Sequence, residues 1–180
     1  TNGKAWTKDF YAWGGICRIG STYYIMGSDN TDNTLSVKRI SGSTWDTAGS
    51  KLVFSTNIFY TNENTRLVTD GVDVGVIWTR PVSGDLILRW YKADLSGRSA
   101  TAGRTADIVL ISGIGQFNIG DAVWGDTGTG TARLWVALRN SSTYQVMAFN
   151  TSTWARVTTE DFEKAGGAQI YGMMYDNANT

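Results

Sequence analysis

The sequence predicts an all-β fold assembled from repeated, antiparallel four-stranded units, and three observations predict it. Short β-branched or aromatic runs recur through the whole chain, separated by Gly, Asn, Asp and Ser. They return at an interval: Tyr23, Val76 and Leu134 open equivalent strands at spacings of 53 and 58 residues. Helical patterning is nearly absent, since its best candidate, residues 158–164, is stopped by Gly166 and Gly167 after one short turn.

Each unit can be followed strand by strand. In the first, a strand at 23–26 leads through a polar loop to a strand at 35–40, then a Ser-Gly-Ser-Thr turn and Trp45. In the second, the strand at 76–80 is followed by a loop, the strand at 85–93 and the turn at 94–97. The third repeats this with 134–138, 143–149, the turn at 150–153 and Trp154. One further strand precedes each hairpin, at 15–19, 66–69 and 122–124, and another begins a fourth unit at 171–175. A second register supports the repeat, because the Asp-Phe pairs Asp9-Phe10 and Asp161-Phe162 lie 152 residues apart. The chain is expected to be a single β-repeat domain over 1–180, with units near 6–44, 45–97, 98–153 and a partial 154–180.

A four-stranded meander repeated about every 50 residues is the blade of a β-propeller, where radial packing buries both faces of each sheet. The alternative is a β-sandwich or jelly roll, which also reads as short strands with frequent turns. Counted this way the chain has three units and a fragment, and such an array leaves two faces uncovered. Association with a second copy or with further blades is therefore expected.

Composition excludes several chemistries. There is no His and only one Cys, which removes Ser-His-Asp, Cys-His and His-based metal chemistry and any internal disulfide. Lys plus Arg and Asp plus Glu both total 16, so no basic footprint for nucleic acid is expected. No stretch approaches an apolar span of about 18 residues, and no membrane insertion is expected. No cofactor is expected. The 23 Thr residues suggest an extracellular or virion-surface β protein.

The strand, polar loop, strand, Ser/Thr-rich turn and Trp pattern resembles β-propeller repeats of sialidase-like proteins, propeller lectins and phage or viral surface proteins. Residues 6 to 176 carry the resemblance. The Asp box of sialidases, Ser-x-Asp-x-Gly-x-x-Trp, is not met. The turns before Trp45 and Trp154 retain only a turn followed by Trp. Gly20 follows Arg18-Ile19 where the sialidase arginine motif has Pro, and no Tyr/Glu nucleophile pair can be placed. The resemblance implies a recognition module for glycans or glycoproteins and carries over no catalytic residue. A structural or assembly role is one alternative, and glycoside hydrolysis by paired carboxylates is another.

Candidate residues follow from the expected rims. Loops from outer to inner strands and from second to third strands share one rim, the default binding face. Tyr11 and Trp13, then Tyr60, Asn62 and Asn64, then Phe117, are expected there. Aromatic rings stack on sugar faces while amides bond hydroxyls, although the same rings could fill wedges between blades. Arg80 and Arg139 could hold a sugar carboxylate in bidentate fashion, or be solvated at strand ends. Asp29 and Asp32 could contribute oxygen ligands to calcium, but a polar hairpin explains them equally. Asp70, Asp73, Asp126 and Asp176 are expected at the opposite rim, where Asp70 and Asp126 are the catalytic candidates if carboxylates pair. Turn chemistry also accounts for them. Cys17 reads as a small buried residue.

Overall fold

The computed structural model describes residues 10–29, 34–41, 44–45, 51–53, 65–80, 82–114, 118–126, 131–140, 143–165 and 173. They form three antiparallel sheets, and the fold is all-β and propeller-like. The first contains β1 (Phe10–Ile19), β2 (Thr22–Asp29), β3 (Thr34–Ser41) and β4 (Thr44–Trp45) in order, with β5 (Lys51–Val53) also pairing with β3. The second orders β6 (Thr65–Thr69), β7 (Asp73–Thr79), β8 (Leu86–Lys92) and β9 (Ile108–Ile111). The third orders β10 (Asn118–Asp126), β11 (Ala132–Asn140), β12 (Thr143–Asn150) and β13 (Phe162–Ala165).

The sheets face one another. Contacts run from β1 to β6 and from β6 to β10, so the first strands of the three sheets are neighbours on the inner side. Arg66 ties two of them, its Nε donating to the Gly120 carbonyl at 2.9 Å. Between the first and second sheets, Tyr24, Met26 and Val37 pack on Val74, Val76, Trp78 and Ile87. Between the second and third, Ile77, Leu86, Leu88 and Trp90 pack on Leu134, Val136, Met147 and Phe149. The middle sheet is thus apolar on both faces, which explains why every residue of β7 is buried. Residues 74–78 read as a continuous apolar run for that reason.

The repeat is visible in the turns. Tyr91 bridges to Arg98 and Phe149 to Arg156. Lys92 N–H donates to Gly97 O at 3.1 Å, and Asn150 N–H to Ala155 O at 2.9 Å. In both, a side chain closes the turn: Asp94 accepts from Ser96 N–H, and Asn150 accepts from Ser152 and Thr153 N–H. Beyond each turn an arginine reaches the carboxylate that precedes the fourth strand, Arg98 to Asp107 at 2.7 Å and Arg156 to Asp161 at 2.6 Å. The last sheet edge is pinned by the same device twice.

Three expectations are corrected. The sheets span 10–53, 65–111 and 118–165, so the unit boundaries at 44/45, 97/98 and 153/154 separate each sheet from its last strands. Trp45 lies in β4 itself and Trp154 comes before β13, and in each case the fourth strand returns to its own sheet. Residues 158–160 make a short 3-10 turn, entered from Val157 with no side-chain cap, but the segment after it is strand β13. Finally, β1 runs unbroken from Phe10 to Ile19, so Tyr11 and Trp13 lie within a strand instead of a rim loop. A bulge between Ala12 and Ile16, with Gly15 at φ 98°, lets the strand bend without ending.

Candidate functional site

β7 separates the two rims by about 20 Å at its seven-residue length. At one end, the β6–β7 hairpin holds Asp70 and Asp73. Asp70 Oδ1 accepts from the N–H groups of Val72 at 2.9 Å and Asp73 at 2.8 Å, and Oδ2 accepts from Arg104. Asp73 Oδ2 accepts from Ser99 at 2.6 Å, Thr101 at 3.0 Å and Arg104 at 3.2 Å. Burial acts to raise the Asp70 pKa, but the backbone donors and Arg104 outweigh it and hold it below the ordinary carboxylate value. A carboxyl so fully bonded is suited to closing a turn. It is not suited to giving up a proton as a general acid, which requires a raised pKa.

Arg104 is enclosed by indoles. Its guanidinium lies 4.5 Å from the Trp90 ring centroid and 5.5 Å from that of Trp124. Trp90 and Trp124 meet edge to face at 5.5 Å, and Trp154 completes the group at 6.2 and 6.3 Å from them. Three of the eight Trp residues therefore form a wedge between the second and third sheets.

Beside the outer strands of the second sheet three arginines converge on one carboxylate, with Arg89 level with Val76 at the middle of β7, Arg98 nearer the Asp73 end and Arg80 reaching in from the Thr79 end. Asp107 precedes β9 and is bidentate to Arg89, through Nε to Oδ1 and Nη2 to Oδ2, each at 2.7 Å. Arg98 Nη1 adds a third bond at 2.7 Å. Arg80 Nη2 stands 3.9 Å from the same carboxylate, and its Nη1 is 3.5 Å from Asp85. Asp85 is already satisfied by Ser83 Oγ at 2.5 Å and Gly113 N–H at 3.0 Å, and the serine, then the glycine, hold its pKa low. Burial pushes the Asp107 pKa up, but Arg89 and Arg98 bring it below the ordinary value. Arg89 in turn stacks 4.9 Å over Trp78 on the face toward the first sheet.

The sequence-derived candidates are distributed as follows. Arg80 joins the arginine cluster, whereas Arg139 lies on β11 with its guanidinium 5.8 Å from the Tyr144 ring. Tyr11 and Trp13 fall on β1, Asp29 ends β2 and Asp126 ends β10. Tyr60, Asn62, Asn64, Phe117, Asp32 and Asp176 lie outside the described residues. Cys17 packs against the second-sheet core, and burial pushes its thiol up to about 12. Sequence reasoning missed Arg89, Arg98, Arg104 and Asp107. A signal existed for Arg89: a charge between Leu88 and Trp90 in an apolar strand requires a partner.

The fold defines a class, propeller-like arrays of antiparallel blades. No family model matches this chain, and no curated protein does. Among solved structures, a bifunctional GH43-CE protein from Bacteroides eggerthii is similar over 87% of this chain, at 17% identity and a TM-score of 0.48. The chain spans 20% of that protein's length.

Proposed function

We propose that the chain is a non-enzymatic recognition module that binds carboxylated glycans at the Arg80 edge of the second sheet. One observation carries the reading: Asp107 is shared by three arginines and already saturated by two of them. Arg80 is left with long contacts of 3.5 and 3.9 Å, where Arg89, Arg98, Arg133 and Arg156 hold carboxylates at 2.6–2.8 Å. Its side chain is 44% exposed. With Asp85 and Asp107 counted, the cluster keeps one positive charge in excess. A sugar carboxylate would take Arg80 in bidentate form at little cost to Asp85, which retains Ser83 and Gly113. The Thr-rich composition fits display outside the cell or on a virion.

A glycan array carrying sialylated, uronic and neutral sugars tests this. Acidic glycans are expected to bind, with Arg80→Ala weakening them about tenfold or more, the worth of a charged hydrogen bond. Binding to no glycan, or equal binding to neutral ones, would overturn the reading. So would turnover of aryl glycosides that is lost in Asp70→Asn.

A further inference from the structure

Beside Arg80, the outer strand of the second sheet presents an apolar side chain to solvent. Val109 is 46% exposed on β9, and among the described residues of β6 to β9 it is the one exposed large apolar side chain. Its neighbours on the strand behave otherwise: Leu110 is buried, and Ile108 and Ile111 pack against the core shared with the third sheet. The register says which side of the sheet Val109 occupies. Trp78 pairs with Ile87 and Ile87 with Val109, and cross-strand partners share a face. Trp78 and Ile87 belong to the core toward the first sheet. Val109 is therefore the outer end of that row, on the side where Arg89 stacks over Trp78.

The same register places Arg80 against it. Arg80 N–H donates to the Asp85 carbonyl at 2.8 Å, which levels those two residues one row beyond Trp78 and Ile87. Asp107 stands one row to the other side, because Ile108 pairs with Leu88 and the residue before it is level with Arg89. Rows on one face are two residues apart, so the levels of Asp85 and Asp107 differ by about 14 Å along the strands. One guanidinium nevertheless reaches both carboxylates, with Nη1 3.5 Å from Asp85 and Nη2 3.9 Å from Asp107. It crosses the row between them, the row that Val109 ends. An arginine side chain that is 44% exposed and a valine that is 46% exposed thus share one stretch of surface.

A ligand would meet there a cation with an apolar wall beside it. The cation alone binds any accessible carboxylate. The wall distinguishes among them, because only a ligand with a small apolar group near its carboxylate takes the valine methyl groups out of water. Resting on the Arg80 reading above, we propose that Val109 is a specificity determinant of that site, and that its ligand is an acidic sugar carrying a methyl ether or an N-acyl methyl group on the same ring as the carboxylate. A plain uronic acid offers only hydroxyls in that place and leaves Val109 without an apolar partner.

Two matched pairs of ligands test this by calorimetry. One is a glucuronic acid glycoside with and without a methyl ether, and the other is an N-acetyl and an N-glycolyl sialoside, which differ by a hydroxyl on the acyl methyl. The wild-type chain is expected to prefer the methyl-bearing member of at least one pair by about fourfold, the worth of burying one methyl group. The pair that shows the preference identifies the source of the sugar. Val109→Thr keeps the β-branched shape and trades a methyl for a hydroxyl at an exposed position, so the fold is retained. It is expected to bring the preference below about twofold and to leave the affinity for plain glucuronate unchanged, whereas Arg80→Ala weakens every acid alike. Equal binding within both pairs would overturn the role of Val109 while the Arg80 reading stands, and so would a preference that survives Val109→Thr. Binding of no acid at all would overturn both.

Discussion

Gly75 shows what a single residue decides in this fold. It lies in the middle of β7 on the face toward the third sheet, opposite Trp90. A Cβ there would stand 2.7 Å from Val68 Cγ1 and 3.1 Å from both Leu88 Cδ1 and Trp90 Cζ3. A real Cβ essentially never sits 2.7 Å from another carbon, so the Val68 side chain would have to move, and Leu88 and Trp90 would have to give by a few tenths of an ångström. Gly75→Ala is expected to cost about 1–3 kcal/mol through overpacking, measured as a lower urea midpoint with an unchanged slope. The strand itself was legible in the sequence, because Val74, Val76, Ile77 and Trp78 form an apolar β-rich run. The need for Gly75 was not. Its constraint comes from side chains on β6 and β8, which periodicity within one strand does not reveal.

At the scale of elements, the segment between β8 and β9 is held less by its own backbone than by charge. Arg104 reaches back to Asp70 and Asp73 on the β6–β7 hairpin while its guanidinium is covered by Trp90 and Trp124. The Arg104 side chain is 12% exposed, and its two partners less. Removing it leaves two buried carboxylates without a counter-charge, which ordinarily costs about 3–5 kcal/mol. Arg104→Ala is therefore expected to lower stability by about 3 kcal/mol in thermal or urea unfolding, well beyond the effect of an exposed pair. A cost under about 1 kcal/mol would mean the pair behaves as a surface one. The Asp70-Gly71 turn was readable from its residues. Its partner was not, since Arg104 lies 34 residues away in a segment with no strand or helix pattern. For the same reason the arginine cluster was half legible. Arg80 stands at a strand end and attracts notice, but Asp107 gathers it with Arg89 and Arg98 only once β9 returns to β8.

For the whole molecule, the order of the three sheets sets how stability is distributed. Among the described residues, the second sheet is the one with a core cluster on both faces, against Met26 and Val37 on one side and Leu134 and Phe149 on the other. Opening it disrupts two cores, whereas opening the first or third disrupts one. In arrays where each unit touches only its neighbours, local opening free energies follow the number of neighbours. Amide hydrogen exchange is therefore expected to be slowest in β7 and β8, with β2 and β11 exchanging sooner in dilute solution. Equal protection of all three sheets would mean that they open as one cooperative unit.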